Sequence, residues 1–178
     1  MKILIAYASV HGTTANCSRM LAEALATKGD VTMVDINKEP IPEPNGFDAV
    51  LLGSSIRFAK ISKKLKRYIK EHIDTLNEKK CGVFLCCGIP DEFEAYAKEQ
   101  TPKGFLAKLG TVYFGGELKP KQVKGIDKLL VSAMRKEITE HDFEDGNFKG
   151  VLPEILPENI KNFAECVTKA LYDRNGEI

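Results

Sequence analysis

Four short apolar runs recur along the chain: Lys2–Ala8, Val31–Ile36, Ala49–Gly53 and Gly82–Cys87. A fifth, Thr111–Phe114, ends in Gly115-Gly116. The runs are continuous rather than alternating, the pattern of strands covered on both faces. Helical periodicities lie between them. Thr14–Lys28 places Met20, Leu21, Ala24 and Leu25 on one face and stops before Gly29, a natural helix end. Ile61–Leu76 spaces Leu65, Ile69, Ile73 and Leu76 by three and four. Phe93–Leu109 and Ile160–Tyr172 read the same way. Alternating strands and helices predict an α/β fold with a five-stranded parallel sheet and helices on both faces.

Two stretches break this rhythm. Asn37–Phe47 holds Pro40, Pro42 and Pro44, so it is expected to be a loop rather than a crossover helix. Glu117–Pro157 follows the last strand and is far longer than a connection needs to be. It is expected to be an insertion carrying a helix over Val123–Thr139, packed on the same domain. At 178 residues the chain suits one domain, 1–178.

Net charge is +1, so overall charge selects no partner, and no nucleic acid is expected. No apolar run reaches the roughly 18 to 20 residues that span a bilayer. The apolar opening is too short for a secretory signal. Five cysteines with no metal-type pairing are expected to be reduced thiols in a cytoplasmic protein, and no metal site is expected. Cys86 and Cys87 fall at a strand end, one to each face, and Cys17 and Cys166 fall on helices. All four read as packing residues. His72 and His141 show no partner in the sequence and read as surface positions.

The first strand runs into Ser9-Val10-His11-Gly12-Thr13-Thr14 and then a helix. A hydroxyl-rich turn around one glycine at a helix start is suited to a phosphate. Unpaired backbone N–H groups point outward there, and glycine admits a close approach. Neither G-x-x-x-x-G-K-[ST] nor G-x-G-x-x-G is present, which argues against nucleoside triphosphatases and dinucleotide folds. A phospho-receiver domain would need carboxylates where Ser9 and Gly53 stand.

The loop resembles the phosphate loop of the flavodoxin family. Ser9, Gly12, Thr13 and Thr14 match that pattern. His11 stands where threonine is usual, and its imidazole can also donate to phosphate. The resemblance implies a three-layer flavodoxin-like sandwich with strand order 2-1-3-4-5. It also implies FMN at the switch point between strands one and three. The isoalloxazine ring would then lie between two further loops, Ser54-Ser55-Ile56-Arg57-Phe58 and Cys87-Gly88-Ile89-Pro90.

From Arg57 to Lys70 the chain carries Arg57, Lys60, Lys63, Lys64, Lys66, Arg67 and Lys70, with no acidic residue until Glu71. Such a rim would attract an anionic small-molecule substrate or an anionic membrane surface. Gly53, Ser55, Ile56, Arg57 and Phe58 also resemble a motif of the menaquinone-linked protoporphyrinogen IX dehydrogenases, with Ser54 in place of alanine. That family likewise has a late basic, apolar insertion, and Leu118–Ile138 has this character. The resemblance implies an FMN oxidoreductase acting on a porphyrinogen-type or quinone substrate, peripheral at the inner membrane face, with Arg57 as the candidate catalytic residue. Two alternatives stay open: a small FMN electron carrier serving redox partner proteins, and a flavin quinone reductase with a nicotinamide donor.

Overall fold

In the computed structural model, residues 1–57, 60–87, 93–117, 143–144, 147–148 and 154–173 are described. Five parallel strands form the sheet: β1 (Lys2–Ala8), β2 (Asp30–Asp35), β3 (Ala49–Ser55), β4 (Lys80–Cys86) and β5 (Thr111–Tyr113). Their order is β2-β1-β3-β4-β5, the expected one, with the switch point between β1 and its two neighbours. Helices α1 (Thr13–Leu25), α2 (Lys63–Glu71), α3 (Ile73–Glu78), α4 (Phe93–Gln100) and α5 (Pro157–Tyr172) complete the α/β architecture. A short antiparallel pair, β6 (Phe143–Glu144) and β7 (Asn147–Phe148), lies within the expected insertion. The helix expected over Val123–Thr139 falls outside the described residues.

The continuous apolar runs give two cores, one on each face of the sheet. Ile3, Ile5, Leu51 and Phe84 point toward Leu21 and Leu25 of α1 and Phe163 and Val167 of α5. Leu4, Leu52, Val83 and Leu85 point toward Leu65, Tyr68 and Ile69 of α2. A chain of rings, Phe84 on Phe114 at 4.7 Å and Phe114 on Phe163 at 5.7 Å, ties β4 and β5 to α5.

The periodic stretch Ile61–Leu76 is two helices rather than one. His72 leaves helical geometry at φ −119°, ψ 22°, where its ring lies tilted against Tyr68 at 4.7 Å and its Nδ1 lies 3.5 Å from Glu43. His72 is therefore partly buried and partnered, not a plain surface residue. His141 lies outside the described residues. Phe93–Leu109 is helical only to Gln100, because Pro102 disfavours helical backbone at the residue before it. Cys17, Cys81, Cys86 and Cys87 are buried, whereas Cys166 is exposed on α5 and is not a packing residue.

Candidate functional site at the carboxyl edge of the sheet

The register brings three strand ends together. Ala8 lies beside Ser54, and Ser55 lies beside Cys86. The loops after β1, β3 and β4 therefore leave the sheet side by side, the arrangement in which open α/β sheets hold ligands.

The first loop turns at Gly12, which caps α1 with φ 92°. A side chain would be strained in that left-handed backbone. Neither Thr13 nor Thr14 acts as the helix cap. Instead Ala15 N–H donates to Ser9 Oγ at 3.2 Å. Val10 is exposed at the loop's tip, and His11 and Thr13 are half-buried. Thr14 is buried, and among the described residues its Oγ1 has no oxygen or nitrogen hydrogen-bond partner. Such a group costs about 1 to 3 kcal/mol. The Cys86 thiol faces this hydroxyl but is a weak partner. Cys86 is itself engaged with Cys17. That contact, with burial added, pushes the Cys86 thiol well up, while the same contact pulls Cys17 down.

Two residues the sequence did not single out complete this loop. Asn37, just after β2, donates from Nδ2 to Ser9 O at 2.9 Å. Glu117, just beyond β5, accepts from Thr13 Oγ1 at 3.4 Å. A signal for Glu117 existed in its position after Gly115-Gly116. Nothing local marked Asn37.

The second loop is held by its own backbone. Ser62 N–H donates to Ser54 Oγ at 3.0 Å, and Ser54 Oγ–H donates to Ser55 O at 2.9 Å. Ser54 is fully buried, so its hydroxyl shapes the loop rather than lining its mouth. Ile56 N–H donates to Cys86 O at 2.8 Å, and its side chain packs toward the α2 core. Arg57 and Lys60 exchange both backbone hydrogen bonds at 2.9 Å, closing a tight turn with Arg57 half-exposed. Phe58 lies outside the described residues. So do Gly88, Ile89 and Pro90 of the third loop. Cys87, which begins that loop, is buried. Its N–H donates to Gly115 O at 3.0 Å, and its carbonyl accepts from Tyr113 Oη at 2.8 Å. Among the described residues no three His, Cys, Asp or Glu side chains gather as a metal would require.

Gly53 explains how β3 fits the site's floor. A Cβ there would stand 2.1 Å from Phe84 Cζ, so only glycine lets the ring cross the strand. The parallel sheet, the switch point and the glycine-and-hydroxyl turn opening α1 define a flavodoxin-type α/β protein. The Flavodoxin domain family matches residues 4–145, and the chain belongs to it.

Solved structures share the fold at low identity. The rubredoxin oxygen:oxidoreductase of Desulfovibrio gigas aligns with 99% of this chain at TM-score 0.56 and 16% identity, and the chain spans 37% of its length. The two-electron reduced flavodoxin of Megasphaera elsdenii aligns with 94% at TM-score 0.53 and 16% identity, and 98% of its own length is spanned. The flavo di-iron protein of Thermotoga maritima aligns with 96% at TM-score 0.51 and 15% identity, with 35% of its length spanned. A search among curated proteins finds no match.

Proposed function

We propose that the protein binds FMN at the carboxyl edge of its sheet and passes electrons between redox partners. FMN supplies the redox chemistry when bound. The chain's task is to bind, orient and set the charge around it. Ser9, Val10, His11, Gly12, Thr13 and Thr14 would hold the phosphate. Ser54, Ser55, Ile56, Arg57 and Phe58 on one side, and Cys87, Gly88, Ile89 and Pro90 on the other, would hold the ring, with Ser54 acting through the backbone it fixes. The observation that carries this reading is the left-handed glycine at a helix start, followed by a Thr14 hydroxyl that meets no more than the weak Cys86 thiol. An anion seated on that first turn is a group that satisfies the hydroxyl and is favoured by the helix dipole. Similarity to the Megasphaera flavodoxin, across nearly its whole length, supports the electron-transfer role.

Fluorescence titration tests this. FMN is expected to bind at least about tenfold more tightly than riboflavin, because a hydrogen bond to a charged group contributes on the order of 1.5 to 3 kcal/mol. Equal affinities would overturn the reading.

A second reading is favoured by Arg57. The Arg57–Lys60 backbone pair holds a guanidinium-bearing residue at the edge of the ring loop. There it suits an enzyme that takes two electrons from an anionic porphyrinogen-type substrate and gives them to a quinone. Bidentate recognition of a carboxylate is what a guanidinium does better than an ammonium.

A further inference from the structure

We infer that α2 is the docking face for an acidic redox protein. This rests on the electron-transfer reading and names the chemistry of its partner. The helix begins where the ring loop ends, so its first turn stands at the carboxyl edge of the sheet beside the site. Leu65, Tyr68 and Ile69 are turned into the core. Lys63, Lys64, Arg67 and Lys70 are left on the outer face, with Lys60 just ahead of them.

The counter-charges on this face are sparse. Lys64 Nζ donates to a backbone carbonyl, Ile36 O, at 3.1 Å. The Arg67–Glu71 pair is long, 3.8 Å, and both side chains are more than half exposed, where such pairs contribute little. Beside the helix lies a cleft of about 420 Å³ whose charged lining is Lys38, Lys64 and Arg67 against Glu39 and Glu71. Asn37, also on its rim, is bonded to the phosphate loop. Acidic side chains reaching into this cleft would meet Lys64 and Arg67 within a few residues of the site.

The same geometry favours a protein over a bilayer. A helix that lies in a membrane surface must offer an apolar face to the acyl chains. The apolar residues of α2 all face inward, and none of the exposed large hydrophobic side chains among the described residues belongs to α2. A purely charged face gives fast, salt-sensitive, transient encounter, which suits a one-electron exchange between proteins.

The experiment uses FMN-loaded protein and two protein probes of opposite charge. Reduced plant-type [2Fe–2S] ferredoxin, an acidic protein, gives one electron per encounter to the flavin. Oxidised cytochrome c, a basic protein, takes one electron from the reduced flavin. The variant is the triple charge reversal Lys63→Glu, Arg67→Glu, Lys70→Glu, on the exposed face of α2. In stopped flow at low salt, the ferredoxin rate is expected to fall at least about tenfold in the variant, within the range electrostatic steering spans. Added salt should slow the parent and not the variant, and the cytochrome c rate should not fall. Unchanged FMN affinity and unchanged reduction by dithionite separate this from failure of the cofactor reading. A ferredoxin rate within twofold of the parent overturns the inference. So does charge-dependent sedimentation with phosphatidylserine vesicles at physiological salt without any ferredoxin effect, which would make the face a lipid contact.

Discussion

Thr13 Oγ1 donates to Glu117 Oε2 at 3.4 Å, so the first turn of α1 carries a carboxylate delivered from the edge strand β5. The Cys86 contact lowers the Cys17 thiol overall, with burial and then this carboxylate opposing it. A negative charge at this place would compete with a phosphate bound at the same helix end. Glu117→Gln keeps an acceptor for Thr13 and removes the charge. FMN affinity is expected to rise several-fold at low salt while riboflavin affinity stays put. A parallel change in both, by titration, would mean that Glu117 acts on the loop's shape and not on its charge.

Thr14→Val should move stability and binding in opposite directions. Valine keeps the shape and removes a buried hydroxyl that lacks an oxygen or nitrogen partner among the described residues. The FMN-free protein is expected to gain up to about 1 kcal/mol in urea unfolding, and FMN affinity to fall roughly tenfold or more. A loss in both measurements would indicate that the hydroxyl is satisfied in the folded chain.

Gly53→Ala drives a methyl group into the Phe84 ring, 2.1 Å from Cζ. Overpacking of this kind costs about 1 to 3 kcal/mol. Here Phe84 is also stacked on Phe114 and has little room to yield. The urea midpoint should drop accordingly. Adding Phe84→Leu should recover part of the loss, giving a coupling energy in the double-mutant cycle.

Alkaline pH should destabilise the fold through Cys81. Burial pushes its thiol from the ordinary 9.0 up to about 12. Below the ordinary value both folded and unfolded thiols are neutral, and this contribution is fully present. As pH rises toward 12 only the unfolded chain ionises, so stability falls by up to about 1.4 kcal/mol per pH unit. Burial raises Tyr68 as well, in the same sense. Cys81→Ala should flatten the slope of the urea midpoint against pH above 9. At neutral pH Cys166, the exposed thiol, should be the first of the five alkylated by iodoacetamide.

Arg57→Ala separates the two functional readings. A guanidinium beside the reduced flavin stabilises its negative charge. Two unit charges about 4 Å apart interact by roughly 4 kcal/mol at an effective dielectric near 20, before desolvation. Losing that contact should lower the reduction potential in a spectroelectrochemical titration. If Arg57 instead holds a substrate carboxylate, the potential stays and KM for the anionic substrate rises. A variant unchanged in potential and turnover would leave α2 as the sole use of the basic stretch and favour the carrier.

Periodicity made the scaffold legible. Runs such as Ile3–Ala8 and Val50–Leu52 are apolar on both faces, and a sheet between two helical layers is the structure that hides both. Thr14 could also have been read as buried, since it shares the α1 stripe with Cys17, Ser18, Leu21 and Leu25. Its functional interest hid the simpler fact. The break at His72 was not legible, because the contact that meets His72 there from Glu43 comes from another segment of the chain. The early stop of α4 was legible in Pro102 itself, which disfavours helix at Thr101. Ser54 offered a hydroxyl at a strand end, and only the tertiary path of the loop decides that it faces Ser62. Asn37 and Glu117 reach the site from other strands, a relation that spacing along one element does not encode.

Gly115 and Ile155 pair across a β-bridge, Gly116 N–H donates to Glu154 O at 3.1 Å, and Leu156 N–H donates to Phe114 O at 3.0 Å. The chain thus departs from the sheet and comes back through the same seam. For the scaffold, the sequence in between is a detour stitched shut at its neck. Closing a longer detour adds cost only as the logarithm of its length. A change in its length would therefore leave the register of the five-stranded sheet as it is. The neck lies against Cys87, whose N–H donates to Gly115 O, so this closure and the start of the loop after β4 share one hydrogen bond.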